Sequence, residues 1–146
     1  MEIRIKTFSQ LDTTELYALL QLRSEVFVVE QDCVYQDVDG KDQKALHILG
    51  FENGKLAAYT RAFKGGDYFD TAAIGRVVVK EEFRGKDYGK QIMLASIEGV
   101  ETHFNTSEIK VSAQTYLKRF YNDLNFIEEG EGYLEDGIPH ILMRRT

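Results

Sequence analysis

The stretch "VVVKEEFRGKDYGKQIM", residues 77–93, changes character twice. The apolar run Val77-Val78-Val79 ends abruptly in charge. Arg84, Gly85, Lys86, Asp87, Tyr88, Gly89 and Lys90 then open a segment of helical periodicity. A turn that leaves a strand and starts a helix presents unpaired backbone N–H groups at the positive end of the helix dipole. Such a turn binds phosphate, glycines let the backbone come close to the oxygens, and Arg84, Lys86 and Lys90 add positive charge. EFRGKDYGK therefore reads as an anion cradle, most naturally for a diphosphate. Two other cradles are excluded. Gly85 and Gly89 lie four apart with no third glycine to complete the dinucleotide fingerprint, and neither Gly85-Lys86 nor Gly89-Lys90 is followed by the Ser or Thr of a P-loop. The plain alternative is a solvated, charged connection.

Outward from this turn the chain alternates between two periods. IRIKTF (3–8) alternates like an edge strand. LDTTEL then supplies a helix start, with Asp12 as N-cap, Glu15 at the capping-box position, and Leu11 and Leu16 as a hydrophobic staple. Leu16, Leu19, Leu20, Arg23 and Phe27 continue that helix to about Val29. EQDCVYQDVDGKDQKA (30–45) is irregular, acidic and long for a connection, which favours a functional loop. ALHILGF and KLAAYTRAF form a hairpin turning at Asn53-Gly54. AAIGRVVVK (72–80) is a further strand in which Gly75 marks a bulge or a close approach. A helix follows from Gly89 to Phe104, then the strand EIKVSAQ (108–114). The short helix TYLKRFYNDL stops at Asn125, which tolerates the left-handed conformation, so that Phe126 packs back on Phe120 or Tyr121. The tail, Phe126 to Arg145, reads as two strands around the loop EGYLEDG. The order β-α-β-β-β-α-β-α-β-β implies a mixed α/β fold, one sheet covered by helices.

Composition bounds the function. A chain of 146 residues is expected to form a single domain, residues 1–146, and its net charge of −6 argues against nucleic-acid binding. No apolar stretch approaches the ~20 residues of a membrane helix, and MEIRIKTF lacks the apolar core of a signal peptide. The single cysteine, Cys33, suits a reducing compartment, so the cytoplasm is the expected location. No metal is expected. DVDGKD (37–42) has its glycine, Gly40, too early for a calcium loop, and His47 and His103 show no ligand spacing. The edge strand IRIKTF permits a homodimer without requiring one.

Arg84 to Gly89, directly after a Val-rich strand, resembles the [QR]-x-x-G-x-[GA] acetyl-CoA signature of the GNAT N-acetyltransferase superfamily. Asp87 stands where that family prefers glycine, with a side chain that could turn away to cap the helix. RFYNDLNF (119–126) resembles the family's FYxxxGF segment, with Asn125 in the glycine position. LRSEVFVVEQDCVYQDVDGKD (22–42), AIGRVVV (73–79) and EDGIPHILM (135–143) resemble the ElaA-like subgroup, so the likeness spans essentially the whole chain.

The resemblance implies a GNAT-like, mostly antiparallel sheet that splays between the strand at 72–80 and EIKVSAQ. It implies acetyl-CoA as acyl donor, its pantetheine arm held by the backbone of Val77, Val78 and Val79, with Gln114 close to that arm. The acceptor it implies is a small-molecule or peptide amine.

Acetyl transfer to an amine makes three demands. An amine of pKa ~10.4 costs about 4–5 kcal/mol to deprotonate at pH 7, so a base or a desolvating pocket helps. The developing oxyanion needs donors, which the backbone of Val77–Val79 could supply. The departing thiolate needs a proton, and Tyr121, matching the tyrosine of FYxxxGF, is the expected acid; without that match it would read as a packed aromatic. Glu30 and His140 are the candidate bases, His140 having the better intrinsic pKa. Cys33 as a covalent nucleophile is a lesser idea, since no basic sequence neighbour activates it. Glu128, Glu129, Glu131, Glu135 and Asp136 form either a solvated turn or a guide for a cationic acceptor. The competing reading from another class is a non-catalytic acyl-CoA sensor or interaction module on the same fold.

Overall fold

The computed structural model describes residues 1–146. The chain forms β1 (Glu2–Thr7), α1 (Thr13–Arg23), β2 (Leu46–Glu52), β3 (Lys55–Phe63) and β4 (Ala72–Val79). It continues with α2 (Tyr88–Phe104), β5 (Ile109–Gln114), α3 (Lys118–Asn122), β6 (Ile127–Glu135) and β7 (Ile138–Arg145). The strands make one seven-stranded sheet in the order β1-β2-β3-β4-β5-β7-β6. All pairs are antiparallel except β4 with β5. This is the GNAT-like mixed α/β architecture expected from the sequence, with β1 at one edge.

Local chemistry accounts for these boundaries. Asp12 opens α1: its Oδ1 accepts from Glu15 N–H at 2.7 Å, and Glu15 Oε1 accepts from Asp12 N–H at 2.9 Å. Past Arg23 the helix widens into a π-turn over Ser24–Glu30, which keeps Val26 and Phe27 buried and delivers Glu30 to the cavity described below. The β2–β3 hairpin turns at Asn53 and Gly54, both with positive φ. Asn125 also has positive φ, and Phe126 packs edge-on against Tyr121 at 5.9 Å.

The tail departs from expectation. EGYLEDG is not a loop: β6 runs to Glu135, and the turn is only Asp136-Gly137, both at positive φ. Asp-Gly carries the same hairpin signal as Asn-Gly. A register shift between Glu129 and Tyr133 absorbs the intervening glycines as a bulge.

Two apolar layers sandwich the sheet. On one face Ile92, Met93, Ile97 and Val100 of α2 pack against Ile48, Ala58 and Ile74. On the other, Leu19, Leu22, Val26 and Phe27 meet Leu49, Tyr59 and Val78. Between these layers β4 carries two irregularities. Tyr59 pairs with Val78 but Arg61 with Gly75, so a bulge falls beside Gly75, where Arg76 adopts φ 50°. After Ala72↔Ile109 and Ala73↔Lys110, β4 and β5 separate. The sheet opens there.

Candidate active site

The gap between β4 and β5 is the centre of a cavity of about 790 Å³. Lys80 N–H bonds to Ala57 of β3, so by strand alternation the backbone groups of Val79 face the gap instead. Val77, Val78 and Val79 all line it, as do Gln114, Tyr121, Glu30 and His140. From the turn after β4, Arg84, Gly85 and Gly89 reach the wall, whereas Lys86, Asp87, Tyr88 and Lys90 lie outside it.

Gly85 and Asp87 both have positive φ, at 79° and 68°. Asp87 is thus in the conformation that favours glycine, and its side chain makes no capping hydrogen bond, contrary to the expectation that it turns back to cap the helix. The first α2 bond runs from Gln91 N–H to Asp87 O at 3.1 Å, so the N–H groups of Tyr88, Gly89 and Lys90 precede it without helical partners. The Phe120 ring lies 3.5 Å from where a Gly89 Cβ would stand, packing α3 onto this helix start. The Lys86 ammonium sits over Phe83 at 5.5 Å, and the Tyr88 hydroxyl donates to Glu52.

Arg84 is paired inside the protein. Its Nη1 and Nη2 fork onto the Glu30 carboxylate at 2.6 and 2.9 Å, and its Nε donates to Val79 O at 3.1 Å. The Arg84 guanidinium holds Glu30 below the usual carboxylate range. In this pairing Glu30 is a poor proton acceptor, and the cradle's arginine lies across the strand end rather than over the helix start.

Tyr121 is 4% exposed, edge-on to Phe120 at 5.1 Å, and burial followed by the nearby Tyr116 pushes its pKa well up. His140 is nearly buried. Its Nδ1 lies 2.7 Å from Ile138 O, a carbonyl that can only accept, so Nδ1 carries the proton and Nε2 is the basic nitrogen. That Nε2 stands 3.4 Å from Glu135 Oε2, and the ring stacks on Tyr133.

One assembly was not read from the sequence. Arg23 binds Asp37 Oδ2 and Asp42 Oδ1, each at 2.7 Å. Arg61 binds Asp42 Oδ1 at 2.9 Å and Asp39 Oδ2 at 2.6 Å. Arg76 closes the ring, with Asp39 Oδ2 at 3.5 Å and Asp37 Oδ1 at 2.8 Å. Burial opposes ionisation of Asp39 and Asp42, yet the hydrogen bonds from Arg61 and Arg23 hold both carboxyls below their usual range. His47 supports the ring: its Nε2–H donates to Asp42 O at 2.9 Å and its Nδ1 accepts from the Tyr59 hydroxyl at 2.6 Å. The acidic run DVDGKD is therefore consumed by three guanidinium groups. A signal existed: Arg23 falls in the apolar stripe of α1, and a buried arginine calls for buried acids.

A sheet split beside a glycine-bearing helix start is what the GNAT resemblance implies, and comparison with known proteins agrees. Residues 10–146 match the Acetyltransferase (GNAT) domain. The chain belongs to the GNAT acyltransferase family, whose members use acyl-CoA donors. Protein ElaA of Escherichia coli is 47% identical over 139 residues, 94% of this chain and 91% of that protein. Its crystal structure superposes with a TM-score of 0.93, covering 99% of both chains. An acyl-CoA N-acyltransferase from Pseudomonas aeruginosa, 40% identical, also gives 0.93 over 100% of both chains.

Proposed function

We infer that residues 1–146 form one N-acetyltransferase domain that moves the acetyl group of acetyl-CoA directly to a primary amine in a ternary complex. A cytoplasmic setting suits the free thiol of Cys33. The observation that carries the reading is the junction of three features on one cavity: the unpaired edge of β4, the α2 helix start, and Tyr121.

The roles follow from that geometry. The N–H groups of Tyr88, Gly89 and Lys90, with Arg84 swung off Glu30 and Lys86 beside them, hold the coenzyme's diphosphate. The open edge of Val77–Val79 takes the pantetheine amides and supplies the donor for the oxyanion. His140 Nε2 removes the amine proton, and Glu135 stabilises the resulting imidazolium. The Tyr121 hydroxyl protonates the departing thiolate. Burial raises the pKa of Tyr121, but it raises that of a thiol in the same cavity too, so the transfer is not penalised by burial alone.

The test is release of free coenzyme thiol from acetyl-CoA with a panel of primary amines. Amine-dependent release supports the reading; coenzyme binding without release from any acceptor supports a non-catalytic acyl-CoA sensor instead.

A further inference from the structure

The half of the cavity beyond Tyr121, between the β4 bulge and the β6–β7 turn, contains charges of both signs that do not pair with each other. The arginine–aspartate ring balances its own charge but leaves donors unused. Arg76 Nε is 2.8 Å from Asp37 Oδ1, yet its N–H does not aim at that oxygen and makes no hydrogen bond. The buried Nε of Arg61 is also without a partner. Both arginines line the cavity, as does Lys41, whose ammonium forms no ion pair and stands 6.0 Å from the Tyr68 ring centre. Neither Nε reaches the cavity surface, but Arg76 is 20% exposed and its Nη1 makes no hydrogen bond within the protein, so Arg76 and Lys41 offer donors to an acceptor from elsewhere, with the Asp39 carboxylate alongside.

The facing wall is acidic. Glu135 has one ion-pair partner, His140 Nε2, and Asp136 has no cationic partner. The Cys33 thiol donates to Asp136 O at 3.4 Å, tying the 31–45 loop to this turn. Two tyrosines, Tyr35 and Tyr68, also line the cavity. Burial raises the pKa of Tyr68. Tyr35 accompanies it, 5.8 Å from the Arg76 guanidinium.

We propose that this half of the cavity binds a zwitterion: the acceptor is an α-amino acid, its ammonium beside His140 Nε2 and the Glu135 carboxylate, its carboxylate on Arg76 and Lys41. Tyr68 stacks on Phe63 at 5.3 Å and meets Phe69 edge-on at 4.9 Å, so the surface left for the side chain is aromatic. An apolar or aromatic side chain fits it. The proposal rests on the acetyltransferase reading and names its substrate class. His140 takes one proton from the ammonium; the amine nitrogen forms the new N–C bond as the C–S bond breaks. The thiolate then takes a proton from Tyr121, and the second proton that the nitrogen sheds in becoming an amide restores the Tyr121 hydroxyl. The product is an N-acetyl amino acid that has lost its ammonium, and with it the attraction to Glu135.

The experiment compares matched pairs, phenylalanine with phenethylamine and leucine with isoamylamine, by thiol release at fixed acetyl-CoA. Each amino acid is expected to exceed its decarboxylated partner in kcat/KM by roughly 100-fold. Lys41→Glu, at an exposed position, is expected to shrink that ratio by about tenfold or more. An amine that matches its amino acid, or a ratio that Lys41→Glu leaves in place, overturns the proposal while leaving acetyl transfer intact. If no acceptor releases thiol, the acetyltransferase reading fails, and calorimetry on the coenzyme A complex decides the present question. Binding of phenylalanine but not phenethylamine supports the zwitterion site; binding of neither overturns it.

Discussion

The two ends of the cavity are held together in opposite ways. At the proposed coenzyme end the charged groups are accessible: Glu30 and Arg84 are 37% and 40% exposed, and Lys86 and Lys90 reach into solvent. At the far end Arg23 and Arg61 are 0% and 2% exposed and locked to three aspartates. An exposed ion pair contributes little to stability and exchanges partners readily, whereas breaking a buried one strands a charge. One end can therefore trade an internal carboxylate for a phosphate, while the other must be complete before any ligand arrives. Function and stability should respond separately to changes at the two ends.

The largest effect is expected at the buried end. Asp42→Ala leaves Arg23 and Arg61 each short of a partner and should lower unfolding free energy by about 3–5 kcal/mol, read from urea denaturation. Loss below 1 kcal/mol would mean that the ring is not what holds this end together.

Next comes chemistry. Tyr121→Phe should lower kcat by about 100-fold with the KM for acetyl-CoA little changed. Turnover equal to the parent would remove Tyr121 from the mechanism.

At the coenzyme end, reversing charge with Arg84→Glu and Lys86→Glu should raise the KM for acetyl-CoA by roughly tenfold or more, without loss of stability. The smallest effect sharpens the contrast. Glu30→Gln removes the internal competitor for Arg84, so coenzyme affinity should rise a few-fold with turnover kept. A large fall in turnover in that variant would restore Glu30 as the base.

Acid should distinguish the ends as well. Asp39 and Asp42 have folded pKa values depressed below the 3.8 of a free aspartate. Their contribution is fully present above the unfolded value and is lost as pH falls through the folded ones. Stability should therefore decline below about pH 4, and less steeply in Asp42→Ala, as followed by urea midpoints between pH 6 and 3.

The contrast also explains what the sequence disclosed. The proposed coenzyme end is built by consecutive residues, from Val77 to Lys90, and on that proposal recognition is largely through backbone. Strand period, glycine placement and helix onset are local properties, so the turn and the neighbouring strands were legible, whereas the split of the sheet was implied only by the GNAT resemblance. Tyr121 was legible only through FYxxxGF, because a buried tyrosine among Phe120 and Phe126 otherwise reads as core. The far end draws Arg23, Asp37, Asp39, Asp42, Arg61 and Arg76 from three elements and a loop, and no spacing along the chain reveals that they meet. Arg23 in the apolar stripe was the one local clue. The Arg84–Glu30 fork escaped for the same reason, since 54 residues separate its members. Asp136-Gly137 carried a turn signal, but the acidic residues before it read as loop until β7 supplied a partner.

The account depends on the split between β4 and β5 receiving a coenzyme thioester. A crystal structure of the complex with acetyl-CoA tests it most directly. The diphosphate should lie on the N–H groups of residues 88–90, with Arg84 released from Glu30 and the thioester between Val77–Val79 and Tyr121. Coenzyme bound at another surface, or a split that stays empty at saturating acetyl-CoA, would contradict it.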